Sequence, residues 1–330
     1  MGLRAALLNL WSGNRTAAPP PARPEAGTVQ NYHGSIGNLF NIDLGDAGDL
    51  GQLLTGPASE KEALAPTLID RVPQTNALLE QLARIEAPGR GAALLVVVPG
   101  CVSDLHNALV LRCAKVEFAR ATANGDPWLY LKQLEWPEGA VSVDPILKSI
   151  GDELALPKSY RRAEIEAGVC ALGRNICFSH LIDGPLWEQD EGALLRKWTD
   201  YFLGGSLRPS PGHVMVGFLC VQLEPERTAV CRKLEGFIRE LGDRELPEGV
   251  AALTTAILNP ILQSHLSQWV SKAATFLEDE LVETELLDLP VNVFGANPVP
   301  RPFADVYKAV REALARTVRH HRPQFMEIRR

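Results

Sequence analysis

The hydrophobic pattern is most regular between residues 92 and 120. Leu94–Val98 is a short, uninterrupted apolar run with several β-branched members, which is typical of a strand covered on both faces in a parallel sheet. After a turn at Pro99 and Gly100, apolar residues recur at the spacing of a helix. These positions are Leu105, Leu109, Cys113 and Val116. The pattern therefore predicts a buried strand, a tight turn and an amphipathic helix.

The same alternation of strand and helix continues downstream. Further strands are predicted at 128–136, 175–183, 213–223 and 250–258. Helices are predicted between them at 144–154, 157–174, 187–202 and 229–241. Beyond residue 260 the pattern is helical, at 263–277 and 302–320. Because strands that alternate with helices form parallel sheets, we expect an α/β fold, with a parallel sheet flanked by helices and a helical C-terminal portion.

The first 65 residues predict a different organisation. Residues 1–13 have a short amphipathic pattern, and residues 16–27 form a linker rich in proline and alanine. The glycine-rich residues 29–54 favour a hairpin or an edge strand. The expected domains are a helix and linker at 1–27, a glycine-rich hairpin or lead-in at 28–65, an α/β core at 66–260 and helices at 261–330.

Composition narrows the function classes. The 330 residues are 46% hydrophobic and 22% charged, as in ordinary globular proteins, and the net charge of -7 gives no basic footprint for nucleic acid. The six cysteines include no C-x-x-C pair, which favours buried, reduced thiols over a zinc site. No apolar stretch approaches the roughly 20 residues of a membrane span. We therefore expect a cytoplasmic protein without nucleic-acid or membrane partners and without a metal or other cofactor.

The turn after the first strand has the spacing of a phosphate-binding loop, G-x-x-x-x-G-K-[ST]. Gly100 takes the first glycine, whereas Leu105, His106 and Asn107 stand where the second glycine, the lysine and the hydroxyl belong. Asp104 adds a negative charge, and at ~5 Å and an effective dielectric near 20 its repulsion of a phosphate is on the order of 3 kcal/mol. The pattern indicates a nucleotide-hydrolase architecture that no longer hydrolyses nucleotide, although a strand, turn and helix with one glycine also occurs in any doubly wound fold.

A second defect falls where such a hydrolase carries its acidic Walker B residues. A working site needs an apolar strand that ends in two acids, one for Mg²⁺ and one to polarise water. Ser179 and His180 interrupt the predicted third strand, and Asp183 is followed by a glycine and a proline. We therefore expect no catalytic residues in this chain.

Residues on both sides of the loop resemble a known family. The set comprises Asp70, Arg71 and Gln74 in a lead-in helix, then Gly100, Asp104, His106, Leu109 and Arg112. It resembles the inactive STAND (iSTAND) domains of bacterial conflict systems, which are degenerate P-loop NTPases, over roughly residues 66–320. The resemblance implies a STAND/AAA-type fold and a non-catalytic signalling adaptor or sensor in an antiviral or stress response. It also implies a protein or peptide partner, such as a protease or a regulator, bound near Gly100, Asp104, His106 and Arg112.

Two enzymatic interpretations remain open at the level of sequence. In a nucleotide-gated or active NTPase, His106 would serve as a phosphate ligand and Asp183 as a metal ligand. In a caspase-like protease, His180 and Cys220 would form the catalytic pair, since they end or line neighbouring predicted strands. No glycine follows His180, and Cys220 lies inside an apolar run, so buried structural roles are the favoured interpretation of both.

Overall fold

The computed structural model describes residues 58–85, 90–118, 128–137, 139–156, 161–190, 192–224, 228–296 and 298–328. The predicted helix at 1–13, the linker at 16–27 and the hairpin at 29–54 lie outside these residues. Across the described ranges, none of the helices combines the length and the apolar character that crossing a bilayer requires.

Five strands pair in one sheet within the described residues, and every pairing is parallel. The strands are β1 (Ala92–Gly100), β2 (Leu129–Gln133), β3 (Ile176–Ile182), β4 (Val214–Gln222) and β5 (Val250–Thr254). Their order across the sheet is β2-β3-β4-β1-β5. The predicted α/β class and the parallel sheet are confirmed, with β1 in the interior of the sheet.

Twelve α-helices flank or extend this sheet in the described part of the chain. They are α1 (Ala58–Leu64), α2 (Val72–Arg84), α3 (His106–Arg112), α4 (Asp144–Glu153), α5 (Arg162–Ala171), α6 (Gly184–Asp190), α7 (Ala193–Leu203), α8 (Thr228–Gly242), α9 (Gln263–Leu277), α10 (Glu280–Leu286), α11 (Leu289–Phe294) and α12 (Phe303–Ile328). Short 3-10 turns cover Ala65–Leu68 and Val102–Asp104, and α3 continues into a π-helical turn at Cys113–Glu117.

Among the predicted boundaries that differ from the structure, two change how the chain is organised. The single helix expected at 187–202 is two helices, because Gly192 between them has a φ of 76°. A Cβ at this glycine would lie 2.5 Å from the Trp187 ring. The strand expected at 250–258 ends at Thr254, and the chain continues as a loop over the end of the sheet. That loop helps to form the candidate site.

The two faces of β1 belong to two separate cores. Ala93, Leu95 and Val97 face a core built with α4 to α8, whereas Leu94, Val96 and Val98 face a core built with α2 and α3. Right-handed crossovers require this division. The connection from β1 runs one way across the sheet to β2, and all later connections run the other way.

A third core joins the C-terminal helices to the segment before the sheet. It packs α9 to α12 against α1 and the first 3-10 turn, and Leu111 of α3 contributes from the sheet side. Trp269 of α9 is fully buried, and its Nε1 donates a hydrogen bond to the Ala65 carbonyl at 2.7 Å. The predicted helical C-terminal portion is thus part of the packed structure.

The strand order also indicates where a ligand site is expected. The crossovers that leave β1 and β4 run in opposite directions, so a crevice forms beyond the carboxyl ends of these two neighbouring strands. The loop that follows Gly100 borders this crevice.

The Trp269 contact yields a test of how the C-terminal helices are held. Trp269→Phe removes the indole donor from the buried Ala65 carbonyl, and we expect the free energy of unfolding to fall by about 1–3 kcal/mol. Gln268→Ala, at an exposed position of the same helix, should change it by less than about 0.5 kcal/mol. Urea denaturation measures both, and equal effects would contradict the packing described.

Candidate functional site

The loop after β1 is closed by a carboxylate of its own. Asp104 Oδ2 accepts a hydrogen bond from the Cys101 backbone N–H at 2.7 Å, and the Asp104 N–H donates to the Cys101 carbonyl at 3.0 Å. Leu105 then takes a left-handed conformation, with a φ of 49°, before α3 begins. Backbone N–H groups in such a loop are the donors that cradle a phosphate. The Cys101 donor is therefore already bound to an internal anion.

The space beside Gly100 is filled by side chains from the loop after β1 and from the loop after β5. A Cβ placed on this glycine would lie 3.1 Å from His106 Nε2, 3.2 Å from Asp104 Oδ2 and 3.1 Å from Leu258 Cβ. Asp104 and His106 are 3% and 2% exposed. Because glycine has no side chain, Asp104, His106 and Leu258 can pack beside Gly100. They lie where a phosphate-binding loop would hold its ligand.

Arg71 neutralises the buried carboxylate. Its guanidinium lies 3.6 Å from Asp104 Oδ1 and donates hydrogen bonds to the carbonyls of Asn259, at 2.7 Å, and Asp104, at 3.3 Å. The guanidinium carbon also stacks over the Phe303 ring, 4.7 Å from its centroid. Arg71 is 2% exposed and has a left-handed backbone, with a φ of 68°. One cation thus connects the turn before α2, the loop after β1 and the C-terminal helices.

Burial dominates the electrostatics of this cluster. It raises the pKa of Asp104, and the Cys101 N–H and Arg71 oppose that rise. Burial also lowers the pKa of Arg71, against the attraction of Asp104 and Asp70. The pKa of His106 falls to about 4, first through burial and then through the charge of Arg71. His106 is therefore neutral at pH 7, and its Nε2 has no hydrogen-bond partner among the described residues.

Arg112 braces the turn that presents Arg71. Its NH1 donates hydrogen bonds to the Leu68 carbonyl at 3.4 Å and to the Asp70 carbonyl, and its Nε pairs with Glu117 Oε1 at 2.8 Å. The Asp70 backbone is left-handed, with a φ of 46°, and its Oδ2 lies 3.1 Å from His265 Nδ1. The predicted set of Asp70, Arg71 and Arg112 is thus brought together, and it binds backbone and neighbouring side chains.

Gln74 also binds backbone carbonyls, in the loop after β5. Its Nε2 donates to the carbonyls of Ala256 at 3.2 Å and Ile257 at 3.3 Å. Arg71 holds the Asn259 carbonyl in the same loop. The predicted lead-in motif therefore fixes the chain that places Leu258 against Gly100.

Asp183 lies at the same edge of the sheet but has another structural role. Its Oδ1 accepts a hydrogen bond from the Leu186 N–H at 2.9 Å and so caps the start of α6. Strand β4 separates β3 from β1, so the strand ending before Asp183 runs about 10 Å from the strand of Gly100. No group of three or more His, Cys, Asp or Glu side chains in the described ranges is arranged to hold a metal ion.

His180 is a core residue on the opposite face of the sheet. Its ring meets those of Trp136, Phe178 and Trp198 edge to face, at centroid distances of 5.3, 5.6 and 5.6 Å. Nδ1 donates to the Leu134 carbonyl at 3.3 Å. Burial lowers the pKa of His180 to about 4. His180 therefore packs among aromatic rings, in a different core from the one that α2 and α3 cover.

His180 and Cys220 cannot form a catalytic pair. Cys220 packs in the core beneath α2 and α3, whereas His180 packs among the aromatic rings of the other core. Their strands are neighbours, but the registered partner of His180 is Leu219, so the two side chains project from opposite faces. Burial also raises the pKa of the Cys220 thiol. The caspase-like interpretation is wrong.

Several residues of the cluster were missed by sequence reasoning. Glu117 lies five residues after Arg112, beyond the spacing of α-helical side-chain pairs, and the π-helical turn at Cys113–Glu117 brings the two together. Asn259, Phe303 and His265 lie far along the chain from Asp70 and Arg71, and no local pattern links them.

Comparison with known proteins assigns no family to the chain. No protein-family model matches it, and neither does any curated protein. Among solved structures, the Aeropyrum pernix ORC2 protein in ADPNP-ADP complexes has a TM-score of 0.47 and 12% identity, with 76% of this chain and 68% of that chain covered. Its ADP form has a TM-score of 0.37 and 14% identity, over 78% and 67% of the two chains. Cdc6p from Pyrobaculum aerophilum has a TM-score of 0.33 and 13% identity, over 74% and 61%. Likeness at this level supports no conclusion about activity or ligand.

The buried ion pair gives the first test of the site. Arg71→Met leaves Asp104 as an unpaired buried charge, and we expect the free energy of unfolding to fall by about 3–5 kcal/mol. Arg84→Met, which removes an exposed arginine paired with Glu80 at 3.5 Å, should cost less than about 1 kcal/mol. The double variant Arg71→Met with Asp104→Leu should lose less free energy of unfolding than the two single variants summed, because neither charge is then left buried without its partner. Additive losses in urea denaturation would argue against a pair.

The buried histidines predict acid sensitivity. The unfolded chain takes up protons below a histidine pKa of about 6.5, whereas folded His180 does so only near 4. Stability is therefore complete above pH ~6.5 and is lost as the pH falls towards 4, by about 2 kcal/mol between pH 7 and pH 5 for each such histidine. His106 contributes with the same sign.

Replacing one histidine isolates its share of this loss. His180→Phe should reduce the difference in unfolding free energy between pH 7 and pH 5 by about 2 kcal/mol. Phe178→Leu alters the same core without a titrating group, so its effect should be equal at both pH values. The measurement is guanidinium denaturation at each pH. An unchanged pH difference in His180→Phe would show that His180 is not buried in the neutral form.

Proposed function

We propose that this chain is a non-catalytic, protein-binding module with a P-loop NTPase-like fold, whose former phosphate loop is closed by its own side chains. The observation that carries the proposal is the position of the Asp104 carboxylate. It accepts the Cys101 N–H, faces the Arg71 guanidinium and lies with His106 beside Gly100. These are the positions at which a nucleotide phosphate would have to bind.

The architecture supports the fold assignment. A parallel sheet with the order β5-β1-β4-β3-β2 places β1 inside the sheet, and its loop opens on the crevice between β1 and β4. The spacing from Gly100 to Asn107 matches the length of a phosphate loop, while the residues needed for phosphate binding are replaced.

The charges around the loop also argue against the binding and hydrolysis of a nucleotide. An incoming phosphate would meet a carboxylate that has already taken the Cys101 donor and the charge of Arg71. The neutral imidazole of His106 supplies no positive charge at pH 7. At the end of β3, Asp183 is engaged in capping α6, and no second acid follows it.

The finer part of the proposal concerns biological context. We assign the chain to the iSTAND type of module, acting as a cytoplasmic signalling adaptor or sensor in a bacterial antiviral or stress response. Support comes from the sequence resemblance around Asp70, Arg71, Gln74 and the loop after β1. In this role the module binds a protein partner, such as a protease or a regulator.

Nucleotide binding tests the proposal directly. A site of micromolar affinity would raise the free energy of unfolding by about 4 kcal/mol at about 1 mM ATP with Mg²⁺. We expect no rise in thermal or chemical denaturation and no ATP turnover. A magnesium-dependent rise that is lost in His106→Ala, or turnover that is lost in Asp183→Ala, would favour the nucleotide-gated alternative.

A further inference from the structure

The segment from α10 to α11 has apolar residues on two sides. Leu286, Leu289 and Phe294 are buried in the C-terminal core. Leu287 and Val291 are 68% and 58% exposed. Leu287 lies in the turn between α10 and α11, and Val291 lies four residues later in α11; the helical hydrogen bond from the Asn292 N–H to the Asp288 carbonyl at 2.9 Å indicates that both face the same side. One apolar side is enough to pack a surface segment against the core. Leu287 and Val291 form a second apolar side, here named the outer stripe.

The outer stripe lies in the most acidic part of the chain. Residues 273–300 contain six acidic residues and no lysine, arginine or histidine. The acidic residues are Glu278, Asp279, Glu280, Glu283, Glu285 and Asp288. Glu278 pairs with Lys61 at 2.6 Å, and Glu283 and Asp288 are exposed beside the stripe. The surface therefore combines exposed apolar side chains with a negative rim.

We propose that the outer stripe, Leu287 and Val291 with its acidic rim, binds a basic amphipathic segment of a partner protein. Apolar side chains of the partner cover the stripe, and its lysine and arginine residues face the rim. This names the partner class of the module and rests on the proposed protein-binding function. Burial of apolar surface supplies affinity, while complementary charge selects the partner and accelerates its approach.

Charge also argues against other occupants of this surface. A second copy of the chain would bring a net charge of -7 and the same acidic rim against the stripe. Nucleic acids and anionic membranes carry the same sign of charge as the rim. A basic segment is the occupant whose charge and amphipathic pattern both match.

The test uses two synthetic amphipathic peptides of ~4 helical turns, one built from leucine and lysine and one from leucine and glutamate. Fluorescence anisotropy with the full chain should show binding of the lysine peptide only, weakened by added salt. Leu287→Ser with Val291→Ser should weaken binding at least about tenfold. Val141→Ser, at an apolar position that is 81% exposed elsewhere, should leave it unchanged.

A second pair of variants tests the rim. Glu283→Gln with Asp288→Asn should weaken binding of the lysine peptide several-fold and reduce its salt dependence. Asp243→Asn with Glu245→Gln removes the same charge from exposed positions in the loop between α8 and β5, and should have no such effect. Thermal denaturation of each variant confirms that the fold is kept.

Three outcomes would overturn the inference. They are equal binding of both peptides, equal binding by the stripe and Val141 variants, and concentration-dependent self-association that Leu287→Ser abolishes. Each of these leaves the proposed closed phosphate loop intact, because that loop is tested separately with ATP and Mg²⁺. Conversely, nucleotide binding would contradict the closed loop without changing which peptide the stripe binds.

Discussion

The buried pair of Arg71 and Asp104 is the interaction on which the arrangement of the candidate site depends. Removing two charges from water costs several kcal/mol per ion, and attraction between them offsets this only when hydrogen bonds satisfy the remaining groups. Here the Cys101 N–H binds the carboxylate, and the Asn259 carbonyl and the Phe303 ring contact the guanidinium. Because the charge pair and these partners together come from four segments of the chain, the pair holds those segments together as one unit.

The fold determines where the site lies, and side chains of the same chain fill it. Loops at the carboxyl ends of parallel strands are where α/β sheets bind ligands, because backbone N–H groups point into a crevice there. In this protein that crevice receives the carboxylate of Asp104 and the imidazole of His106. Gly100 still permits a close approach. The groups that approach it are the side chains of Asp104 and His106, four and six residues later in the chain.

The sequence predicted local features well because their causes are local. The apolar run Leu94–Val98 lies within β1, and the helices after residue 260 follow the predicted apolar spacing. Gly192 divides a helix that the aromatic pattern predicted to be continuous, since the break depends on a left-handed glycine packed under the Trp187 ring. The proximity of Gly100, Asp104 and His106 could be expected from the spacing of the loop, whereas Arg71 was named only through the family resemblance. The partners of these residues could not be predicted, because Arg71 and Asn259 are 188 positions apart and no periodicity links them.

The closed loop and the C-terminal helices form one packed body, and this limits how the module can work. A ligand shifts a conformational equilibrium only by binding one state better than another. The side chains of Asp104 and His106 already occupy the space that a Cβ at Gly100 would enter. Phe303, at the start of α12, stacks on Arg71, and α12 packs against α10 and α11 in the same core. A partner that binds the surface of these helices therefore binds a structure that the buried pair of Arg71 and Asp104 helps to hold in place.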